Sequence, residues 1–362
     1  MDIYNQYRGK KVLVTGHTGF KGSWLTIWLK MLGADVYGYS LEAKTANDLY
    51  VLTGLRNQVV ELISDIRKFK IISSFIKKTK PEIVFHLAAQ SLVSEGYKDP
   101  LNTYSTNIMG TVNLLEACRN QPSVGAIVII TSDKCYANRE WIWGYRENDP
   151  LGGYDPYSAS KGASEIIIHS FGNSFFNISN YDEHNKAIAS ARSGNVIGGG
   201  DWSINRLVPD CIRSLEMQKE IRIRNPEAIR PWQHVLEPLN GYLILAIKLL
   251  ENPKKFSGAW NFGPYSSNIL KVKEIVQKII NLYGQGGKWI TGQKSIFHEA
   301  MMLNLDINKS IFSLQWYPLL NIDETLTNTI EWYKRYNKEN ISDYTMSQID
   351  EYMKKWNSLK ED

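Results

Sequence analysis

Two short stretches carry side chains whose types and spacing suit proton transfer. In GYDPYSASKGASE, residues 153–165, Tyr157 and Lys161 stand four positions apart, which puts them on one face of a helix. A phenol titrates near 10 in water, so Tyr157 becomes a useful base only where nearby positive charge stabilises its phenolate. Lys161 is placed to supply such a charge. In TSDKCY, residues 131–136, Ser132, Asp133 and Lys134 follow an apolar run. A serine there can hydrogen-bond a reacting oxygen, and an adjacent acid and amine can give and take protons. The plain alternatives are an ordinary surface helix for Tyr-x-x-x-Lys and an ion-paired strand end for Asp-Lys.

The elements that must position these residues are legible as apolar runs. KVLVTG (11–16), DVYGYS (35–40), VVELIS (59–64), EIVFHLAA (82–89) and AIVIITS (126–132) alternate with longer helix-like segments, and AIASARS begins a sixth run at 187. Apolar strands separated by helical crossovers predict a parallel sheet covered on both faces. The fold class is therefore α/β: a doubly wound parallel sheet of Rossmann type over residues 1–190, with a smaller C-terminal α/β lobe over 191–362, some of whose segments return to the first domain. Met346, Ile349, Met353 and Trp356 recur at helical spacing and predict a tail helix packed on its own domain.

The first run leads into VTGHTGFKGSWL, with Gly16, Gly19 and Gly22 between strand and amphipathic helix. That context suits a dinucleotide: one glycine makes the turn, another admits a pyrophosphate, and the helix N-terminus offers free N–H groups. The spacing is GxxGxxG rather than GxGxxG. Gly16, His17, Thr18, Gly19, Phe20, Lys21 and Gly22 are the candidate cofactor loop. Beyond the second run stand Ser40, Leu41, Glu42 and Lys44, with no arginine to bind a 2′-phosphate, which favours NAD over NADP. Asp65 and Ile66 after the third run would frame the adenine, and Ala88 and Ala89 after the fourth would line the cofactor's path. An oxidised nicotinamide ring would add to the charge of Lys161 beside Tyr157.

GxxGxxG, Ser132, Tyr157 with Lys161, and Asn107 in TNIMGT together resemble the extended short-chain dehydrogenase/reductase superfamily, over nearly the whole chain to LDINKSIFSLQWYP (305–318). The resemblance implies bound NAD contacted also by Asn107, Tyr157 and Lys161, a C-terminal lobe for a nucleotide diphosphate sugar, and a homodimer or dimer of dimers built on helices that include residues 100–120 and 156–172. TGHTGFKGSWL, GGYDPYSASK, RSGNVIGGGDW and RPWQHVLEPL, with Asp-Lys after Ser132, resemble the 4,6-dehydratases of CDP-linked glucose. That implies a CDP-sugar substrate, with Tyr157 as base at the 4-hydroxyl, Asp133 as acid and Lys134 as base in the elimination. Ser132 would contact the sugar. Asn195, Arg206 and Arg230 match positions that hold the nucleotide or diphosphate, a task for which arginine's planar donors are suited. Relatives that invert carbon 5 carry Asp-Lys too, but lack the tyrosine. His17 and Lys21 are larger or more charged than their counterparts in many relatives, which implies a different cofactor affinity. Ser94 and Gly96 replace an arginine and a serine of the family pattern in the loop beside the sugar.

Composition narrows the classes further. The chain has 362 residues, 42 basic and 37 acidic, and a formal charge of +5 without long runs of either sign, which suits an anionic small molecule rather than nucleic acid. Cys118, Cys135 and Cys211 form neither a CxxC pair nor a metal-ligand pattern, so no metal is expected and the cytoplasm is the expected setting. No apolar stretch reaches the ~18 residues that span a bilayer. A 4,6-dehydratase of another nucleotide sugar, a nucleotide-sugar 4-epimerase or reductase of the same fold, and a dinucleotide-sensing regulator remain as alternatives. The joint presence of Ser132, Tyr157 and Lys161 counts against the last.

Overall fold

The computed structural model describes residues 3–284, 286–293 and 301–359. Its centre is a seven-stranded sheet of β1 (Lys11–Thr15), β2 (Asp35–Ser40), β3 (Val60–Ile63), β4 (Ile83–His86), β5 (Ala126–Ile130), β6 (Ala187–Arg192) and β7 (Gly258–Asn261). The order is 7-6-5-4-1-2-3, and every neighbouring pair is parallel. The reversal of strand order falls between β1 and β4, where such sheets open a crevice at their carboxyl ends. The six apolar runs became β1 to β6. The seventh strand was not foreseen, because GAWN is four residues long and lacks an aliphatic run.

Alternation along the strands explains why both faces are covered. In β1, Val12 and Val14 join one apolar cluster and Leu13 the other. The Leu13 side is filled by α2 (Phe69–Thr79), α3 (Gly110–Arg119) and α4 (Pro156–Ser174), through Ile72, Leu114 and Ile168. The opposite side takes α1 (Phe20–Met31) with Trp24 and Trp28, and α6 (Leu236–Glu251) with Leu243. The remaining long helices are α5 (Leu207–Glu216), α7 (Val272–Tyr283), α8 (Ile322–Arg335) and α9 (Ile341–Ser358).

The tail helix α9 buries Ile349 and Trp356 as its periodicity predicted, with Met346 and Met353 partly buried beside them. It packs on α8 and also reaches back to α1, where Tyr352 meets Trp28 edge to face at 5.7 Å. Among the described residues, no helix is long and apolar enough to cross a membrane.

Candidate active site

The glycine-rich turn is built around two backbone approaches. Gly16 has φ +77°, and a Cβ there would lie 2.7 Å from the Ala88 nitrogen. At Gly22 a Cβ would lie 2.0 Å from the Gly16 carbonyl, so α1 starts directly under the turn. Gly19 caps α1 with no side-chain bond to the first-turn N–H groups. An uncapped helix N-terminus beside an exposed glycine fits a dinucleotide pyrophosphate.

Other residues of the proposed cofactor set divide by where their side chains go. Thr18 bonds Ser40 Oγ at 2.8 Å and donates to the Leu41 carbonyl, closing the loop over the end of β2. Phe20 is half-buried against Gly198. His17 turns away from the glycine loop: its ring is fully buried over Gly38, with Nε2 2.7 Å from Glu61. Burial lowers the His17 pKa despite Glu61. The Ile66 side chain is buried beneath Gly110, on the α3 side of the sheet. Asp65 stays at the sheet edge, where Arg67 grips its carboxylate at 2.5 Å and holds it below the usual range. Ala88 and Ala89 are half-exposed just beyond β4. An arginine does stand near the end of β2: Arg56, distant in sequence, pairs with Glu42 at 2.6 Å.

Chemistry-bearing residues converge at the ends of β5 and β6. Ser132 caps the short turn Asp133–Cys135, accepting from the Lys134 N–H and donating to Asp133 Oδ1 at 2.9 Å. Helix α4 begins where Asp155 accepts from the Ser158 N–H and Oγ, with Pro156 at its first position, a strong start signal. Tyr157, the next residue, and Lys161, one turn further in, are both buried. Glycines let the helix approach: a Cβ on Gly162 would lie 2.6 Å from the Gly152 carbonyl, and one on Gly96 would press the Tyr157 backbone at 3.1 Å. Asn107, inside the widened π turn Ser105–Met109, accepts from the Gln90 N–H and donates to Ser160 Oγ, tying α4 to the loop after β4.

Burial pushes the Tyr157 phenol up to about 12, while the Ser132 hydroxyl and then Arg206 pull it down. Lys161 donates to the Ile130 carbonyl at 3.4 Å and is itself pushed down to about 8 by burial, with Glu165 opposing.

Lys21 also enters this centre. Its Nζ donates to Ser193 Oγ at 2.9 Å, and Ser193 in turn bonds Tyr242 at 2.6 Å. Burial, with Arg206 and Lys161 nearby, lowers Lys21 to about 7.

A narrow crevice joins this centre to the C-terminal lobe, lined among others by Asp133, Gly194, Gln233 and Asn304. Gly194 is there by necessity, since a Cβ would sit 1.9 Å from Asp133 Oδ2. Arg206 holds Asp201 at 2.8 Å and reaches Ser91. Arg230 bonds the carbonyls of Ile229 and Met301 one residue before the crevice-lining Pro231, and Asn195 follows Gly194 with φ +48°. Sequence reasoning did not single out Ser193, Gln233 and Glu165, although they lie inside the quoted stretches, nor Tyr242, which lies outside them.

A glycine-turn Rossmann sheet with a buried Tyr-x-x-x-Lys helix beside a strand-end serine defines the short-chain dehydrogenase/reductase class. The family model described as GDP-mannose 4,6 dehydratase matches residues 13–329, and the chain belongs to that family. It is 50% identical to a CDP-glucose 4,6-dehydratase of Salmonella typhimurium, covering 94% of this chain and 97% of that one. Among solved structures it resembles a dTDP-glucose 4,6-dehydratase from Streptomyces venezuelae with NAD bound, at a TM-score of 0.77, 20% identity, and coverage of 91% and 99%. An epimerase from Methanothermobacter thermautotrophicus gives 0.79, 22%, 93% and 96%.

Proposed function

We propose that this chain dehydrates CDP-D-glucose to CDP-4-keto-6-deoxy-D-glucose, a hydro-lyase step of deoxysugar biosynthesis, with NAD as cofactor. The observation that carries the reading is the buried Asp133, followed by Lys134, beside Ser132 and Tyr157, in a chain half identical to a CDP-glucose 4,6-dehydratase. Residues 16–22 would hold the pyrophosphate, and residues at the ends of β3 and β4 the rest of the dinucleotide. When bound, NAD supplies a hydride acceptor for carbon 4 and a donor for carbon 6.

Tyr157 takes the proton of the 4-hydroxyl while Ser132 hydrogen-bonds that oxygen. The resulting 4-ketone acidifies the carbon 5 proton, which Lys134 removes. Asp133 delivers its proton to the departing 6-hydroxyl, which leaves as water. Residues 191–362 contribute the nucleotide-sugar site, with Arg206 and Arg230 on the diphosphate and Asn195 on the nucleotide.

We infer further that two copies pair through the 100–120 and 156–172 helices, a reading supported by exposed Leu101, Met109 and Ile166. The buried, unpaired thiols of Cys118, Cys135 and Cys211 agree with a cytoplasmic setting.

The test is a proton NMR time course of the protein with NAD and CDP-, UDP-, GDP- or dTDP-glucose in parallel. A new methyl doublet from CDP-glucose alone is expected. A methyl from another nucleotide overturns the base assignment, and a sugar that keeps its 6-hydroxyl points to an epimerase or reductase.

A further inference from the structure

We propose that Gln233 is a substrate contact that orients the departing 6-hydroxyl of the sugar, its Oε1 accepting the hydrogen of that hydroxyl while Asp133 protonates the oxygen. This rests on the reading of the substrate as CDP-glucose and of Asp133 as the acid given above. Gln233 opens the short strand Gln233–His234, which pairs with Val196–Ile197, and its N–H donates to the Asn195 carbonyl at 3.3 Å. The residue is only 1% exposed and lines the narrow crevice together with Asp133.

The neighbours of the amide fix which way round it sits. Nε2 donates to the Gly194 carbonyl, just past β6, and to the Phe262 carbonyl, just past β7, each at 3.0 Å. Both of its hydrogens are thus used, at acceptors that could not pair with an amide oxygen. Oε1 is the free end, and among the described residues no donor meets it. A buried carbonyl oxygen without a donor costs free energy until one arrives. The other polar side chains lining the crevice are engaged: Asn304 Oδ1 accepts from the Leu305 N–H at 2.9 Å, and Asp133 Oδ1 accepts from Ser132. Gln233 Oε1 is therefore an acceptor held ready for a ligand hydroxyl.

Which hydroxyl it meets follows from what stands beside it. One residue, Gly194, separates the amide from the acid: its carbonyl accepts from Gln233 Nε2, and a Cβ on it would lie 1.9 Å from Asp133 Oδ2. The 4-hydroxyl is served by Tyr157 and Ser132, whereas the 6-hydroxyl is the one protonated by Asp133. To leave as water, that oxygen must turn a lone pair to the Asp133 proton, so its own hydrogen needs a different acceptor. Gln233 Oε1 supplies it. The bond from carbon 6 to oxygen breaks, Asp133 gives up its proton, and the water departs with that proton and with the hydrogen directed at Gln233. A neutral amide accepts this hydrogen bond without taking the proton itself.

The experiment measures by calorimetry the affinities for CDP-glucose and for CDP-6-deoxyglucose, in wild type and in Gln233→Leu, with NADH bound so that oxidation at carbon 4 cannot start. Wild type should prefer CDP-glucose, and in Q233L that preference should shrink at least roughly fivefold, beyond any affinity both sugars lose together. A preference equal to that of wild type overturns the proposal, since a purely structural role weakens both sugars alike. In single turnovers with NAD and CDP-glucose, Q233L should reduce the cofactor within a few-fold of the wild-type rate and then hold it reduced, with elimination slowed roughly tenfold. Equal slowing of the two steps overturns the proposal too. If Q233L does not fold, Gln233→Asn keeps the amide but draws its oxygen back by one methylene and should shrink the preference by less; an unchanged preference there overturns it equally. A wild type that binds neither sugar would instead refute the CDP-glucose reading, so the two failures are distinct.

Discussion

Tyr157 is a neutral phenol in the free chain, because desolvation outweighs the Ser132 and Arg206 interactions. Its basicity therefore depends on what binds beside it. Removing the phenolic oxygen should abolish hydride removal from carbon 4: Tyr157→Phe is expected to slow single-turnover cofactor reduction by at least roughly a hundredfold, and near-full turnover would reject the role. Asp133→Asn and Lys134→Ala act later. Both should oxidise carbon 4 yet stall at elimination, seen as reduced-cofactor absorbance that builds up, whereas unaltered product formation would remove their roles. The Tyr157 and Lys161 pair was legible because a four-residue spacing is itself helical geometry. Lys21 reaching Ser193 and Arg56 reaching Glu42 were not, since long flexible side chains meet partners that spacing does not encode. The side chains of Ile66 and His17 pack beneath Gly110 and over Gly38, a direction that the loop pattern does not encode, because backbone geometry decides which side chains face inward.

At the level of elements, the site depends on three abrupt endings: the glycine turn after β1, the Ser132-capped turn after β5, and the Gly194 loop after β6. At the last, Asp133 occupies the space a side chain on residue 194 would need. Gly194→Ala should displace the Asp133 carboxyl and slow elimination at least roughly tenfold, while the affinity for NAD, measured by calorimetry, stays within a few-fold. Equal loss of both would mean the substitution disturbs the sheet rather than the acid. Strands β1, β4, β5 and β6 were legible as continuous apolar runs because both of their faces are buried, whereas edge strand β3 has no fully buried residue. Strand β7 was hidden, since its four residues rely on pairing with β6 rather than on local preference.

Across the whole molecule, Glu237 links distant parts of the chain. Buried at the start of α6, it accepts from the Leu319 and Leu320 N–H groups and from the Tyr352 hydroxyl on α9, and desolvation raises its carboxyl to about 7. A raised carboxyl stabilises the fold fully below its unfolded pKa, near 4.5, and the contribution is lost as pH climbs through about 7. Relative to Glu237→Gln, wild type should thus lose up to roughly 3 kcal/mol between about pH 4.5 and 8, read from urea unfolding at each pH. A difference independent of pH would contradict this. The tail helix was visible from its apolar spacing, but its contact with α1 was not, because periodicity names a buried face and not its partner. The central claim, that hydride leaves carbon 4 and returns to carbon 6 of the same sugar, is tested most directly with CDP-glucose deuterated at carbon 4. The account predicts a product methyl bearing one deuterium from that position; a methyl without deuterium, or deuterium retained at carbon 4, would contradict it.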